Sequence, residues 1–289
     1  MPVSGELLAG ASVVVTGAGS GLGRAYAVAL AAAGANVLAN DVDERGLAGT
    51  VQIIRDGGGS ARAHVRAVGG REDAERIVAA CVDSFGSLDG LVANAGVLNP
   101  GASRNLSEST VEATLRTNVA GVWHCCAAAM DVMVPQGRGS IVTVVSGAMA
   151  VLEGLALYGT STSAVLGLTY GLALELEGTG VRINAVSPLA NTAMSDDMDI
   201  DEAFKGGPAD AVAPVVVHLL SDGSRDLHGQ VIRFDGRSLG LVHPPRLAAT
   251  TAPRDAWTAA DVAAALDGPL RAWRAPVGLV AAPPATAVD

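Results

Sequence analysis

Tyr158 and Thr162 lie four residues apart in "LYGTSTSAVLGLTYGLALELEG" (157–178), a stretch with a helical pattern. Residues at i and i+4 share a helix face, so both side chains look the same way. Whatever chemistry such a tyrosine does, it has a threonine, and no charge, beside it. The chain's single lysine, Lys205, belongs to another segment. A second constellation is "VVVTGAGSGLGRA" (13–25), with Gly17, Gly21 and Gly23 between an apolar run and a helical pattern. Such a turn lets backbone N–H groups approach a pyrophosphate at a helix N-terminus. Asp41 follows 18 residues after Gly23, at the end of the next apolar run. A carboxylate there accepts both ribose hydroxyls of an adenosine and repels a 2′-phosphate. Neither Ser20 nor Val42 offers a cation to hold such a phosphate. These residues point to NAD as cofactor rather than NADP.

The elements that must carry these residues alternate. The spacing predicts strands at 11–17, 36–42, 60–68, 88–96, 139–147, 181–188 and 229–236. Helices are expected at 23–34, 71–86, 109–134 and from 157 onward. Ser109 is the expected N-cap of the third helix, with Glu112 three residues on. Strict alternation implies right-handed crossovers and a parallel sheet covered on both faces. The expected fold is α/β, a Rossmann-type doubly wound, seven-stranded parallel sheet spanning residues 1–241. Residues 242–289 hold seven prolines and two of the three tryptophans, and read as an extension that packs on the domain or a neighbour. Within it, Thr258, Asp261 and Gly268 frame one short helix.

The net charge of −10 has no basic block to offset it, which argues against nucleic-acid or anionic-membrane partners. Cys81, Cys125 and Cys126 form no metal-ligand pattern and read as reduced core thiols of a cytoplasmic protein. No metal site is expected. No segment reaches the roughly 18 apolar residues of a membrane span, and the N-terminus lacks the basic region of a signal peptide.

Several motifs, in order, make residues 8–240 resemble the short-chain dehydrogenase/reductase family. "TGAGSGLG" (16–23) resembles its cofactor loop, which brings in Ser20 and Leu22. "ANAG" (93–96) resembles its NNAG motif and supplies Asn94, Ala95 and Gly96, with Ala93 in place of the first Asn. "TNVAG" (117–121) and "IVTVVSG" (141–147) resemble the segments that supply the catalytic Asn and Ser, here Asn118 and Ser146. Tyr158 follows Ser146 at a usual gap. "INAVSP" (183–188), with Pro188, and Thr192 resemble the segment at the nicotinamide end, which Tyr158 also touches. The resemblance implies Tyr as acid/base for a hydroxyl–carbonyl interconversion, Ser holding the substrate oxygen, and Asn fixing a water. It also implies a Lys one turn after Tyr, which binds the nicotinamide ribose and lowers the Tyr pKa from about 10. Thr162 stands at that position. Ala67 stands where an Asp usually touches adenine, and Leu189 where a Gly commonly follows the Pro. "SPLANTAMS" (187–195) resembles the hydroxyacyl-CoA dehydrogenase unit of peroxisomal multifunctional enzymes, which suggests acyl-thioester or similarly apolar substrates.

Three readings follow. The first is an NAD(H)-dependent oxidoreductase with Thr162 bonding the ribose. The second is a redox-neutral NAD-binding enzyme performing dehydration, isomerisation or cyclisation, with neutral Tyr158 and Ser146 as donors. The third is a non-catalytic family member. Glu153 is a candidate auxiliary acid or base, or a solvated side chain. His124 lies six residues after Asn118, off its helix face, and reads as a packing or interface residue. Trp123 reads as core or subunit contact, and Met194 and Met198 either as lid residues over an apolar ligand or as plain lid packing. The helices at 109–134 and 157–177 carry long apolar stripes. Family resemblance makes them the expected contact of a homotetramer or homodimer.

Overall fold

The computed structural model describes residues 7–147, 153–191, 206–245, 249–251, 253 and 255–273. Thr192, Met194, Met198 and Lys205 lie outside the described residues. The chain divides into two compact units, Met1–Val242 and His243–Asp289.

In the first unit β1 (Ser12–Thr16) is fully buried, as a run of β-branched residues between two helical layers must be. It feeds α1 (Gly21–Ala32), then β2 (Asn36–Asp41). Next comes α2 (Glu44–Asp56), for which the sequence reading assigned no element. Asp43 caps α2 by accepting from the Arg45 N–H, and Leu47, Val51 and Ile54 form its buried stripe. β3 (Ser60–Val65), α3 (Arg71–Phe85) and β4 (Gly90–Ala93) follow.

The single helix expected over 109–134 is three pieces. α4 (Glu108–Leu115) runs into a π turn at Arg116–Gly121, then into α5 (Val122–Gln136). The N-cap is Ser107, not Ser109: the Ser107 Oγ accepts from the Thr110 N–H at 3.1 Å. Glu112 therefore falls beyond the capping position. The wide turn shifts the helical phase, so the 100°-per-residue angle between Asn118 and His124 does not hold. Trp123 faces outward, 54% exposed, while Cys125, Cys126, Ala129 and Met133 are buried. Trp123 is thus no core residue of this chain.

β5 (Gly139–Val144), α6 (Ala156–Glu175), β6 (Val181–Pro188), α7 (Ala213–Leu220), β7 (Val231–Phe234) and β8 (Leu239–Leu241) complete the unit. The sheet order is β8-β7-β6-β5-β4-β1-β2-β3. All neighbours are parallel except β8, which pairs antiparallel with β7. The sheet is therefore mainly parallel with eight strands, not seven. The extra strand is a hairpin return: the Asp235 carboxylate accepts from the N–H groups of Arg237 and Ser238 and turns the chain. Its three residues are exposed and carry no apolar period, so nothing in the pattern marks them. A separate two-residue parallel ladder joins Ala190–Asn191 to Gly207–Pro208.

One apolar layer packs residues of α1, α2 and α7 on one sheet face. The other packs α3, α5 and α6 on the opposite face. The three cysteines are free and buried. Burial pushes the Cys81 and Cys125 thiols up to about 12. Among the described residues no helix is long and apolar enough to cross a membrane, and no cluster suits a metal ion. In the second unit, α8 (Ala259–Asp267) opens with the reciprocal Thr258–Asp261 capping box, and Gly268 ends it.

Candidate active site

Strand order reverses between β1 and β4, and ligands of open α/β sheets bind at the carboxyl ends of strands at such a point. A cavity of ≈ 380 Å³ lies there. It is lined by Gly17, Ser20, Gly21, Leu22, Gly23, Asp41, Asn94, Ala95, Gly96, Asn118, Tyr158 and Thr162. Ser146 and Pro188 are not among its lining residues, though Ser146 bonds Tyr158, which is.

The glycine loop is built for close approach. Gly17 and Gly21 have φ of +68° and +51°, which L side chains rarely adopt. A Cβ at Gly23 would overlap the Gly17 carbonyl, so helix and loop meet only because none is there. Three contacts pin the loop from below. Thr50 Oγ1 donates to the Ala18 carbonyl at 2.8 Å and accepts from Arg24 Nε at 3.0 Å. Arg24 Nη2 donates to the Gly19 carbonyl. Asn94 Nδ2 donates to the Thr16 carbonyl at 2.9 Å, tying β4 to β1. Asp41 closes the loop from the side: one oxygen accepts from the Gly19 N–H at 2.8 Å, the other from the Asp43 N–H at 3.0 Å. These features fit a dinucleotide pyrophosphate with a ribose against Asp41.

The sequence reading passed over Arg66. It follows β3, lines the cavity beside Ala67 and Val68, and pairs with Asp73 at 2.8 Å. Its position next to Ala67, where an acidic residue was expected, was the available signal.

At the other end stands Tyr158, in the first turn of α6, hydrogen-bonded by the Ser146 side chain. Burial pushes its phenol above the ordinary value, and the Ser146 bond pulls it partly back. No cationic side chain among the described residues opposes that burial. Thr162 is 6% exposed. Its Oγ1 donates into its own helix, 3.2 Å from both the Tyr158 and Gly159 carbonyls. Its proton is therefore engaged, and toward the cavity it offers lone pairs only. The π turn fixes Asn118: its Oδ1 accepts from the Val97 N–H at 2.8 Å, and its Nδ2 donates to the Val97 carbonyl at 2.9 Å and to Ser161 Oγ at 3.0 Å. Ser161 in turn donates to the Tyr158 carbonyl at 2.8 Å. A chain of side-chain bonds thus runs from the 97–118 loop to the backbone of Tyr158. Glu153 is exposed and His124 is half-buried on α5.

The family model for short chain dehydrogenase matches residues 11–203. A dehydrogenase subunit of Thauera aromatica, named for (2S)-[(R)-hydroxy(phenyl)methyl]succinyl-CoA, is 33% identical over 71% of this chain and 88% of its own length. The peroxisomal hydratase-dehydrogenase-epimerase of Neurospora crassa is 34% identical over 74% of this chain and 23% of its own length. The crystal structure of a short chain dehydrogenase from Mycobacterium avium superposes with a TM-score of 0.83 and 28% identity, covering 96% of this chain and all of that one (100%). A reversed strand order, a glycine loop at its switch point and a cavity-lining tyrosine bonded by a serine agree with that match, and the chain belongs to the short chain dehydrogenase family of oxidoreductases.

Proposed function

We propose that the chain interconverts a hydroxyl and a carbonyl on an apolar, acyl-thioester-type substrate, with NAD(H) as cofactor. The observation that carries the reading is the Ser146–Tyr158 hydrogen bond at one end of a cavity whose other end is the glycine loop and Asp41. The bound cofactor supplies the hydride chemistry. The loop glycines would hold its pyrophosphate, Asp41 its adenosine ribose, and the lone pairs of Thr162 a hydroxyl of the nicotinamide ribose. The 94–96 segment would line the cavity between them. Ser146 would orient the substrate oxygen and Tyr158 would exchange its proton. Asn118, locked to Val97 and Ser161, would keep the helix start in register. The substrate class is supported by the name of the Thauera relative, which refers to a succinyl-CoA compound.

The raised phenol has a consequence. Near neutral pH Tyr158 is protonated, ready to donate to a carbonyl and poor at accepting from a hydroxyl. Carbonyl reduction is therefore the easier direction. The same observation supports a second reading, a redox-neutral reaction in which Tyr158 and Ser146 only donate. One panel of hydroxyacyl and oxoacyl thioesters with NAD+ or NADH separates the two. Absorbance of the reduced nicotinamide must change in the first reading. Product must form without that change in the second.

A further inference from the structure

Among the described residues, Arg233 is a half-buried cation with no ion pair. It sits on β7, in register with Ser187 of β6. Its neighbour Val231 packs in the same layer as α6, so by the period of two Arg233 faces the α6 side of the sheet. It is half-buried, and burial lowers its pKa. Its hydrogen bond among the described residues is a single one, from Nη1 to Ser187 Oγ at 3.2 Å. No carboxylate among those residues lies within ion-pair distance of it. Asp235 is near enough to act through its field, but its Oδ1 is committed to the hairpin turn. Arg182, on β6, shows the contrast. It too is half-buried, but its guanidinium donates to the carbonyls of Leu219, Ser221 and Ser224 and to the Ser224 hydroxyl. That arginine is a satisfied structural strut. Arg233 has one such bond among the described residues, and a partly desolvated guanidinium is costly without an anionic partner.

Its place is next to the serine that bonds Tyr158. The guanidinium lies against Gly147, the residue after Ser146. A methyl group at 147 would stand 2.5 Å from Nη1 and 3.1 Å from Cζ of Arg233. The missing side chain of Gly147 is the space the guanidinium fills. The cation is thus one residue from the serine that bonds Tyr158, yet it does not lower the Tyr158 phenol, so it is no substitute for the absent lysine. A planar fork with free N–H groups matches a carboxylate in two-point contact.

We propose that Arg233 binds a carboxylate carried by the substrate, so that the site selects acyl compounds with a second, anionic end. This rests on the hydroxyl–carbonyl reading above and narrows its substrate class. The test uses two probes, the N-acetylcysteamine thioester of 3-hydroxyglutarate, which keeps one free carboxylate, and the methyl ester of that compound. Their binding to the full chain saturated with NAD+ is measured by calorimetry, and NADH absorbance is followed separately. The acid is expected to bind at least about tenfold tighter than the ester, the scale of one charge-assisted contact. Arg233→Gln should bring that ratio to about one. Gly147→Ala should do the same by displacing the flexible guanidinium, and it serves if the first variant folds poorly. Equal binding of acid and ester to the native chain overturns the proposal, as does a ratio that survives both substitutions. Preferential binding of the acid without NADH formation supports the carboxylate site and counts against the reaction. NADH formed equally well from acid and ester does the reverse.

Discussion

Asp41 illustrates how much one side chain can decide. Its two oxygens hold the N–H groups of Gly19 and Asp43, so the carboxylate is fixed at the edge of the cavity. A 2′-phosphate brought to that edge would meet a like charge. NAD should therefore bind more tightly than NADP by calorimetric titration, and Asp41→Ala should narrow the preference by about 10–100-fold, as loss of a charge-assisted bond implies. Equal or tighter binding of NADP to the native chain would remove this claim. Tyr158 sets the second expectation at this scale. Burial raises its phenol, and the oxidising direction needs the phenolate. Alcohol oxidation should therefore climb with pH throughout the range 7–10, about tenfold per unit. Carbonyl reduction should stay flat over the same range. A plateau of oxidation near pH 8 would show another base at work. Asp41 was readable from its place at a strand end, and Tyr158 and Ser146 from the resemblance of their segments to the family's motifs. The roles of Arg66 and Arg233 were not, because each depends on strands far apart in the chain lying side by side.

At the scale of elements, the glycine loop and α2 form one device. Gly46 of α2 faces the loop: a Cβ there would lie 2.7 Å from the Gly19 carbonyl. The helix needs Gly46 to come that close, and Gly46 and Gly49 together lower its helical propensity. That is why α2 escaped a reading by pattern while β1, with five buried residues in a row, did not. The π turn escaped for a related reason. What holds it is the Asn118–Val97 pair, a contact across 21 positions that no local period records. The loop's tolerance is testable. Gly23→Ala places a methyl group on the Gly17 carbonyl and should cost about 1–3 kcal/mol in chemical denaturation, the usual scale of overpacking. It should also abolish tight NAD binding. Unchanged stability with unchanged NAD affinity would mean that helix and loop separate more easily than the packing implies.

For the whole molecule, the alternation of strands and helices was legible apart from α2 and α7, for which no element was expected. The hairpin return of β8 was not, because it is an exposed edge of three residues. The outer surface of α5 and α6 exposes Trp123 and Leu174, the latter 77% accessible. Large apolar side chains left open on neighbouring helices invite a subunit contact. Light scattering at micromolar concentration should give a dimer or tetramer, and Trp123→Asp with Leu174→Asp should shift it toward monomer. A native chain that is monomeric under those conditions would contradict the expectation.

The central claim is that Tyr158 works as a base without a neighbouring cation, and does so under a handicap. The most direct measurement is the pH dependence of NADH formation by the native chain and by Thr162→Lys, on the same hydroxyacyl thioester. Position 162 lines the cavity one helical turn from Tyr158, so an ammonium there would favour the phenolate. The account predicts that the alkaline rise moves to lower pH and that the rate at pH 7 increases on the order of 10²-fold, the lower end of the acid–base contribution. A native chain already at full rate at pH 7, and unimproved by Thr162→Lys, would contradict it.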